Sequence, residues 1–120
     1  MTIKDSQCRP ISPANMDWSG FSAAQKSAFE QAFNLQPSHR SESAKKYREL
    51  SSQLSNFAVW YNLGLVEAAA GNLHDAESAL KKSAHLNPQL RETFKLLSEV
   101  QQALGKSSEA KASLNRYRQL

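Results

Sequence analysis

The amino-acid sequence predicts an all-α fold of about three helical hairpins stacked side by side. Three observations support this prediction: apolar residues recur at helical spacing, glycine and proline separate the helical stretches, and one pattern returns after 34 residues. A recurrence at an offset of this length is typical of proteins in which each repeat is a pair of helices. The chain is therefore predicted to be an array of helical pairs.

The best-defined stretch runs from Trp60 to Pro88. Its pattern combines an aromatic start, small residues, leucines and a closing proline: Trp60, Leu63, Gly64, Gly71, Ala76, Leu80 and Pro88. Small residues such as Gly64 and Ala76 let two helix backbones approach closely. Gly71 favours the left-handed backbone conformation that ends many helices. These intervals predict two short antiparallel helices joined by a tight turn.

Much of this pattern returns 34 residues later, as Phe94, Leu97, Gly105, Ala110, Leu114 and Leu120. The repeated pattern resembles the tetratricopeptide repeat (TPR) family, whose helix-turn-helix unit has an aromatic-x2-Leu-Gly start, an Ala-x3-aromatic second helix and a closing proline. The resemblance implies a right-handed α-solenoid of helix-turn-helix hairpins. It also implies a non-catalytic protein–protein interaction module that binds its partner in a concave groove.

The sequence departs from the family pattern at several positions. Glu67 and Gln101 stand where the family has tyrosine, and Ser98 replaces the glycine of the later copy. Leucines occupy the aromatic position of the second helices. The repeats are nevertheless predicted over residues 22–55, 57–88 and 91–120, which make up a helical repeat domain of residues 21–120.

Residues 1–20 are predicted to be an N-terminal tail, partly disordered or packed as a cap. Pro10 and Pro13 lie among polar residues, and the segment has no helical or strand period. Ile11, Met16 and Trp18 are nevertheless large apolar groups. One interpretation is that Trp18 covers the first helix, because the terminal units of a stacked array need their outer faces covered. The alternative is that the tail lies in the repeat groove.

The first hairpin is predicted to begin with a capping box, Ser22-x2-Gln25, and a helix from Ala23. Gln36-Pro37 is expected to end that helix, and Ser38 or Ser41 to cap the next one. The register of this hairpin stays open. The stretch from Phe29 to Pro37 also matches the end of a second helix, as in Leu80 to Pro88.

The middle hairpin is predicted at about 57–70 and 73–87, and the last at about 90–104 and 107–119. Asn72 or Asp75 is expected to cap the second helix of the middle hairpin, and Ser107 or Ser108 that of the last. No polar capping helix follows Leu120, so we expect self-association or a partner to cover this end of the array.

The amino-acid composition limits the classes of function that the protein can have. The chain has 120 residues, of which 40% are hydrophobic, and its net charge is +4. The charged residues are dispersed along the sequence and do not cluster with aromatic residues, so nucleic-acid binding is disfavoured. Cys8 is the single cysteine, which favours a reducing compartment. Neither a long apolar stretch nor a secretory signal is present in the sequence, and we expect a cytoplasmic protein without a membrane span.

The residue types that could take part in catalysis or metal binding lack the partner residues that such sites need. His39, His74 and His85 do not pair at the spacing of a helical zinc site, and no glycine-rich phosphate loop or serine elbow occurs. The sequence therefore predicts that the protein is not an enzyme and that it holds neither metal nor cofactor.

The predicted partner site is the groove lined by the first helix of each hairpin. The candidate groove residues are Tyr61, Asn62, Leu65, Ala68, Glu92, Lys95, Glu99 and Gln102. Family members that hold a C-terminal carboxylate use several Lys, Arg and Asn residues, and only Asn62 and Lys95 come near that set.

The leading hypothesis is an adaptor or chaperone-like module that binds a peptide or amphipathic helical segment of another protein. The alternatives are a homo-oligomeric structural scaffold, such as a dimer formed through the uncapped last hairpin, and a small cytoplasmic secretion-type chaperone.

Overall fold

The regular structure is entirely helical in residues 8–120, the part of the chain that the computed structural model describes. The elements are the 3-10 helix Pro13–Asn15, α1 (Ala23–Leu35), α2 (Arg40–Gln53), α3 (Phe57–Ala70), α4 (Leu73–Leu86), α5 (Arg91–Ala103) and α6 (Ser107–Gln119). Within that range there is no strand, so the predicted all-α class is confirmed. The first seven positions of the predicted tail lie outside the described residues.

Two of the predicted helix boundaries follow the expected physical chemistry. The Ser22 side chain accepts a hydrogen bond from the Gln25 N–H, and the Gln25 side chain accepts one from the Ser22 N–H, so the capping box is confirmed. Gly71 ends α3 with a φ of 88°, a conformation that costs glycine little.

The predicted serine caps of α2 and α6 are wrong. His39 precedes α2 and Lys106 precedes α6, and neither makes a side-chain cap hydrogen bond. The Ser38 hydroxyl is instead hydrogen-bonded to the His39 ring at 2.8 Å. Lys106 holds its position because its N–H donates to the Gln101 carbonyl and its ammonium donates to Glu77.

Asn72 stands at the predicted cap position of α4 but does not cap it. Its backbone angles, φ −87° and ψ 71°, differ from those of a capping residue, and its side-chain amide donates to Glu67 Oε1 at 3.2 Å. The hydrogen bond to Glu67 of α3 therefore uses the side chain that the sequence pattern assigned to the start of α4.

Each helix packs mainly against the helices that precede and follow it in the chain, and α3 also touches α5. The buried apolar residues form two clusters, one around Phe29, Tyr47 and Leu63, the other around Tyr61, Leu80 and Leu96. Helix α3 contributes to both clusters, and ten of its fourteen residues are buried. A helix that is apolar on nearly all sides belongs in the centre of a fold.

Helices α3 and α4 approach each other closely at Gly64. A Cβ atom at this position would lie 2.6 Å from Leu80 Cγ, and Leu80 is fully buried. The absence of a side chain at Gly64 therefore lets α3 and α4 pack against each other, as the sequence indicated. None of the helices in the described range is both long and apolar enough to cross a membrane.

Candidate functional site

Residues 8–11 lie along α3 and α5 without regular secondary structure. The Ile11 N–H donates a hydrogen bond to Asn62 Oδ1 at 2.8 Å, and Asn62 Nδ2 donates one to the Ile11 carbonyl at 2.9 Å. One side chain thus satisfies both backbone groups of one residue. Only a chain segment whose backbone groups are not used in a helix can make this pair of bonds.

Two further contacts hold the same segment. The Tyr61 hydroxyl donates to the Arg9 carbonyl at 2.9 Å, and the Cys8 thiol lies 3.8 Å from the Glu92 carbonyl as a weak donor. Cys8 and Ile11 also pack against the apolar cluster that contains Tyr61. We call the surface that receives residues 8–11 the α3–α5 cleft. The Tyr61 and Asn62 side chains bond to the backbone of the segment, and the Glu92 carbonyl contacts the Cys8 thiol.

Asn62 is oriented by a chain of buried hydrogen bonds. The Tyr47 hydroxyl donates to Gln36 Oε1 at 2.8 Å and accepts from Asn62 Nδ2 at 3.2 Å. Because a hydroxyl has one proton and Tyr47 donates it to Gln36, this oxygen can only accept from Asn62. The Asn62 amide is thereby fixed with Oδ1 towards the Ile11 N–H.

The phenols of the site stay protonated. Burial raises the pKa of Tyr61 far above its usual value, and the neighbouring Cys8, Glu92 and Glu99 raise it further. Burial likewise raises the pKa of Tyr47, against the opposing effect of its hydrogen bond with Asn62. Both shifts favour the protonated hydroxyl, which is the form that donates a hydrogen bond.

The structure brings together part of the predicted groove set. Tyr61, Asn62 and Glu92 contact residues 8–11, and Glu99, on the same helix as Glu92, raises the pKa of Tyr61. The Oε2 atom of Glu99 is buried and has no hydrogen-bond partner. The α5 side of the cleft is therefore acidic.

The other predicted groove residues take different positions. Leu65 and Ala68 are buried in the apolar cluster beneath the cleft. The Lys95 ammonium lies 5.7 Å from the centre of the Tyr117 ring, on the α6 side of its helix. Gln102 is exposed. Leu65 and Ala68 thus belong to the cluster against which Cys8 and Ile11 pack, whereas Lys95 lies towards α6 and Gln102 faces solvent.

Residues 12–21 cover the other end of the molecule. The Trp18 ring packs edge-on against Phe21 and Phe29, with ring centres 5.1 and 5.5 Å away, and Met16 joins the same cluster. Residues 8–11 occupy the cleft while Trp18 covers α1.

Sequence reasoning missed Leu90, which lines the cleft beside Pro10 and Ile11, and the hydrogen-bond chain through Gln36 and Tyr47. An isolated large apolar residue in a polar tail, Ile11, was the signal that could have indicated an occupant. In the part of the chain that the structure describes, no three His, Cys, Asp or Glu side chains are grouped as metal ligands would be.

No protein-family model matches the chain, and no curated protein is significantly similar to it. The cleft and the segment that lies in it are therefore the features from which a function can be proposed.

Proposed function

We propose that this protein is a non-catalytic interaction module that binds an extended segment of a partner protein in the α3–α5 cleft. The observation that supports this best is the pair of hydrogen bonds from Asn62 to the N–H and carbonyl of Ile11. A pre-oriented amide that pairs with one residue's backbone can accept many sequences, as an adaptor or chaperone-like protein requires.

The bound form of the partner follows from the same bonds. A helical segment uses its own N–H and carbonyl groups internally and has none to offer to Asn62. An extended segment has both available at every second residue on one side. Of the two partner types that the sequence suggested, the extended peptide therefore fits the cleft better than an amphipathic helix.

The architecture that we propose is a right-handed α-solenoid of three TPR-like hairpins, with the cleft on its concave side. Sequential packing of neighbouring helices supports it, as does the close contact between Gly64 and Leu80. We further propose that the protein works in the cytoplasm with another protein as its partner.

The test uses the full chain carrying an affinity tag, expressed in its native cells. Asn62→Leu keeps a similar side-chain volume and removes both backbone hydrogen bonds, each of which contributes about 1 kcal/mol. We expect the affinity for the co-purified partner to fall at least about tenfold. The matched control is Asn34→Leu, the same change at an exposed position of α1.

Helical content by circular dichroism establishes that both variants fold. Partner binding that survives in a folded Asn62→Leu protein would refute the proposed function. Fragments of the partner, assayed one by one, should locate the binding activity in a segment of a few residues.

A further inference from the structure

We propose that residues 8–11 are a displaceable internal ligand of the α3–α5 cleft, and that the external ligand is an extended segment of the same chemistry. This chemistry is a basic residue placed two positions before an apolar one, as in Arg9-Pro10-Ile11. The inference rests on the proposed function and identifies the kind of partner and what the partner must displace.

The contacts of residues 8–11 are those of a ligand. The segment has no regular structure, and its polar contacts with the cleft are made through backbone atoms of Arg9 and Ile11 and the Cys8 thiol. Its partners Tyr61 and Asn62 stand about fifty positions away in the chain. A second segment with free backbone groups could make the same hydrogen bonds.

The tail is anchored separately from the part that fills the cleft. Trp18 packs against Phe21 and Phe29, and the Phe21 N–H donates to the Trp18 carbonyl at 3.0 Å. Residues 8–11 can therefore leave the cleft while Trp18 stays in place. The short tether gives the segment a high effective concentration, so it competes with an external ligand even if its own contacts are weak.

The charge of the cleft selects a basic ligand. Glu92 of α5 borders the open space beside Tyr61, and one oxygen of Glu99, on the same helix, is buried without a hydrogen-bond partner. Lys95, on the same helix, directs its ammonium to Tyr117 and does not neutralise them. The internal segment supplies one cation near this surface, Arg9, whose side chain is exposed. A cationic side chain in an external ligand would complement the two carboxylates.

The cleft is larger than its internal occupant. Beside residues 8–11 an open space of about 330 Å³ remains, bordered by Pro10, Ile11, Tyr61, Leu90 and Glu92. A longer or bulkier external segment could fill this space after the internal one has left. Such a segment would gain apolar contacts that residues 8–11 lack, which gives it the advantage needed for displacement.

The experiment measures binding of a fluorescent peptide with the sequence of residues 8–15 and blocked ends to the full-length chain. Ile11→Asp weakens the internal segment without changing the cleft, whereas Ala14→Asp adds the same charge at an exposed position of the same tail. We expect Ile11→Asp to bind the peptide at least about tenfold more tightly than the unmodified chain, and Ala14→Asp to behave like the unmodified chain.

Equal affinity of the three proteins would overturn the proposal, because the tail would then not compete. Absence of binding to a folded Ile11→Asp protein would also overturn it, because residues 8–11 would then be a fixed part of the fold. A peptide with Glu in place of the Arg9 residue should bind more weakly. Equal binding of that peptide would overturn the charge preference.

A second measurement needs no variant. In the unmodified chain the Ile11 amide should exchange with solvent slowly, and a large excess of unlabelled peptide should accelerate its exchange. The amide of Phe21, bonded to Trp18, should not change. Unchanged exchange at Ile11 in the presence of saturating peptide would contradict displacement. A dimer of the unmodified chain in light scattering would overturn internal occupancy in favour of a segment supplied by a second copy.

A failure of the internal-ligand proposal can be distinguished from a failure of the proposed function. Suppose that the peptide does not displace residues 8–11, and that Asn62→Leu still abolishes binding of the natural partner. The cleft is then a partner site, and the proposal that residues 8–11 are a displaceable ligand is wrong. If Asn62→Leu keeps its partner even when Ile11→Asp has also weakened the internal segment, which shares the Asn62 hydrogen bonds, the proposed function fails whatever the peptide does.

Discussion

The middle hairpin (α3 and α4) and the last hairpin (α5 and α6) share the residues that hold two helices together. Leu63 and Leu97, which stand 34 positions apart, are 4% and 5% exposed. Ala76 and Ala110 occupy the corresponding places of the second helices and are both buried. These leucine and alanine positions are thus kept in kind and in burial.

The same two hairpins differ where they face residues 8–11. Tyr61 and Asn62 of the middle hairpin hydrogen-bond to the segment. The residues 34 positions later are Lys95, which lies over Tyr117, and Leu96, which is fully buried. The two side chains that hydrogen-bond to the backbone of residues 8–11 therefore both belong to the middle hairpin.

The hairpins also differ in how tightly their two helices meet. Leu80 is fully buried against Gly64, whereas Leu114 is only partly buried and its hairpin has Ser98 in place of the glycine. We infer that the middle hairpin is the more stable unit, and four predictions test or sharpen this contrast.

The largest effect is expected from Leu80→Ala. Removing a fully buried leucine should lower the free energy of unfolding by about 2 to 5 kcal/mol, because the cavity cannot close completely. Leu114→Ala, the matched change 34 residues later, should cost less than about half as much. Chemical denaturation followed by circular dichroism measures both, and equal losses would remove the contrast.

Gly64→Ala should have the next largest effect. Its added Cβ would lie 2.6 Å from Leu80 Cγ, and a buried leucine with no room to move makes such overpacking cost about 1 to 3 kcal/mol. Ser98→Ala is the control, because it removes only a hydroxyl bonded to the Lys95 carbonyl of its own helix. We expect the control to lower the free energy of unfolding by less than about 1 kcal/mol. A Gly64→Ala variant as stable as the unmodified chain would show that α3 and α4 can move apart without loss of stability.

The sequence predicted those features of the fold that depend on local chemistry. Helical periodicity, the capping box at Ser22 and the glycine at position 71 were enough to place α1 and α3. Ser38 does not cap α2 because its hydroxyl bonds the His39 ring, and Asn72 does not cap α4 because its amide bonds Glu67. Such competition between side chains is not contained in the periodicity.

The candidate site was only partly predictable for the same reason. Helical spacing placed Tyr61 and Asn62 on one face of α3, but spacing does not show which part of a tail lies against that face. At Glu67 and Gln101, where the resemblance implied tyrosine, the structure has polar links: Glu67 bonds Arg48 and Asn72. A departure from a pattern became interpretable only when its distant partners were known.

Tyr47→Phe tests whether the hydrogen-bond chain behind Asn62 serves the cleft. Loss of the hydroxyl removes one bond each from Gln36 and Asn62 and should cost about 1 kcal/mol of stability. Because Asn62 then loses the contact that orients its amide, peptide binding should weaken as well. Tyr117→Phe, at a partly exposed ring of the last hairpin, should change stability by less than about 0.5 kcal/mol and leave binding unaltered. Unaltered binding in Tyr47→Phe would separate the chain of hydrogen bonds from the cleft.

The smallest effect concerns the link between the two hairpins. Glu77 of α4 accepts hydrogen bonds from Lys106 at 2.7 Å and Gln101 at 3.2 Å. Burial opposes ionisation of this carboxyl, but these bonds and the charges of Lys81 and Lys106 outweigh it and lower the pKa of Glu77 below its ordinary value of 4.5.

A carboxyl whose pKa is lower in the folded than in the unfolded chain stabilises the fold above its unfolded pKa, and that stabilisation is lost as pH falls through the folded value. The unmodified chain should therefore lose stability below about pH 5 more steeply than Glu77→Gln. The exposed Glu109→Gln, which also removes one carboxylate near Lys106, should keep the steep slope. Urea denaturation at a series of pH values distinguishes the two, and parallel profiles for Glu77→Gln and the unmodified chain would show that the ionised Glu77 carboxylate does not stabilise the contact between the two hairpins.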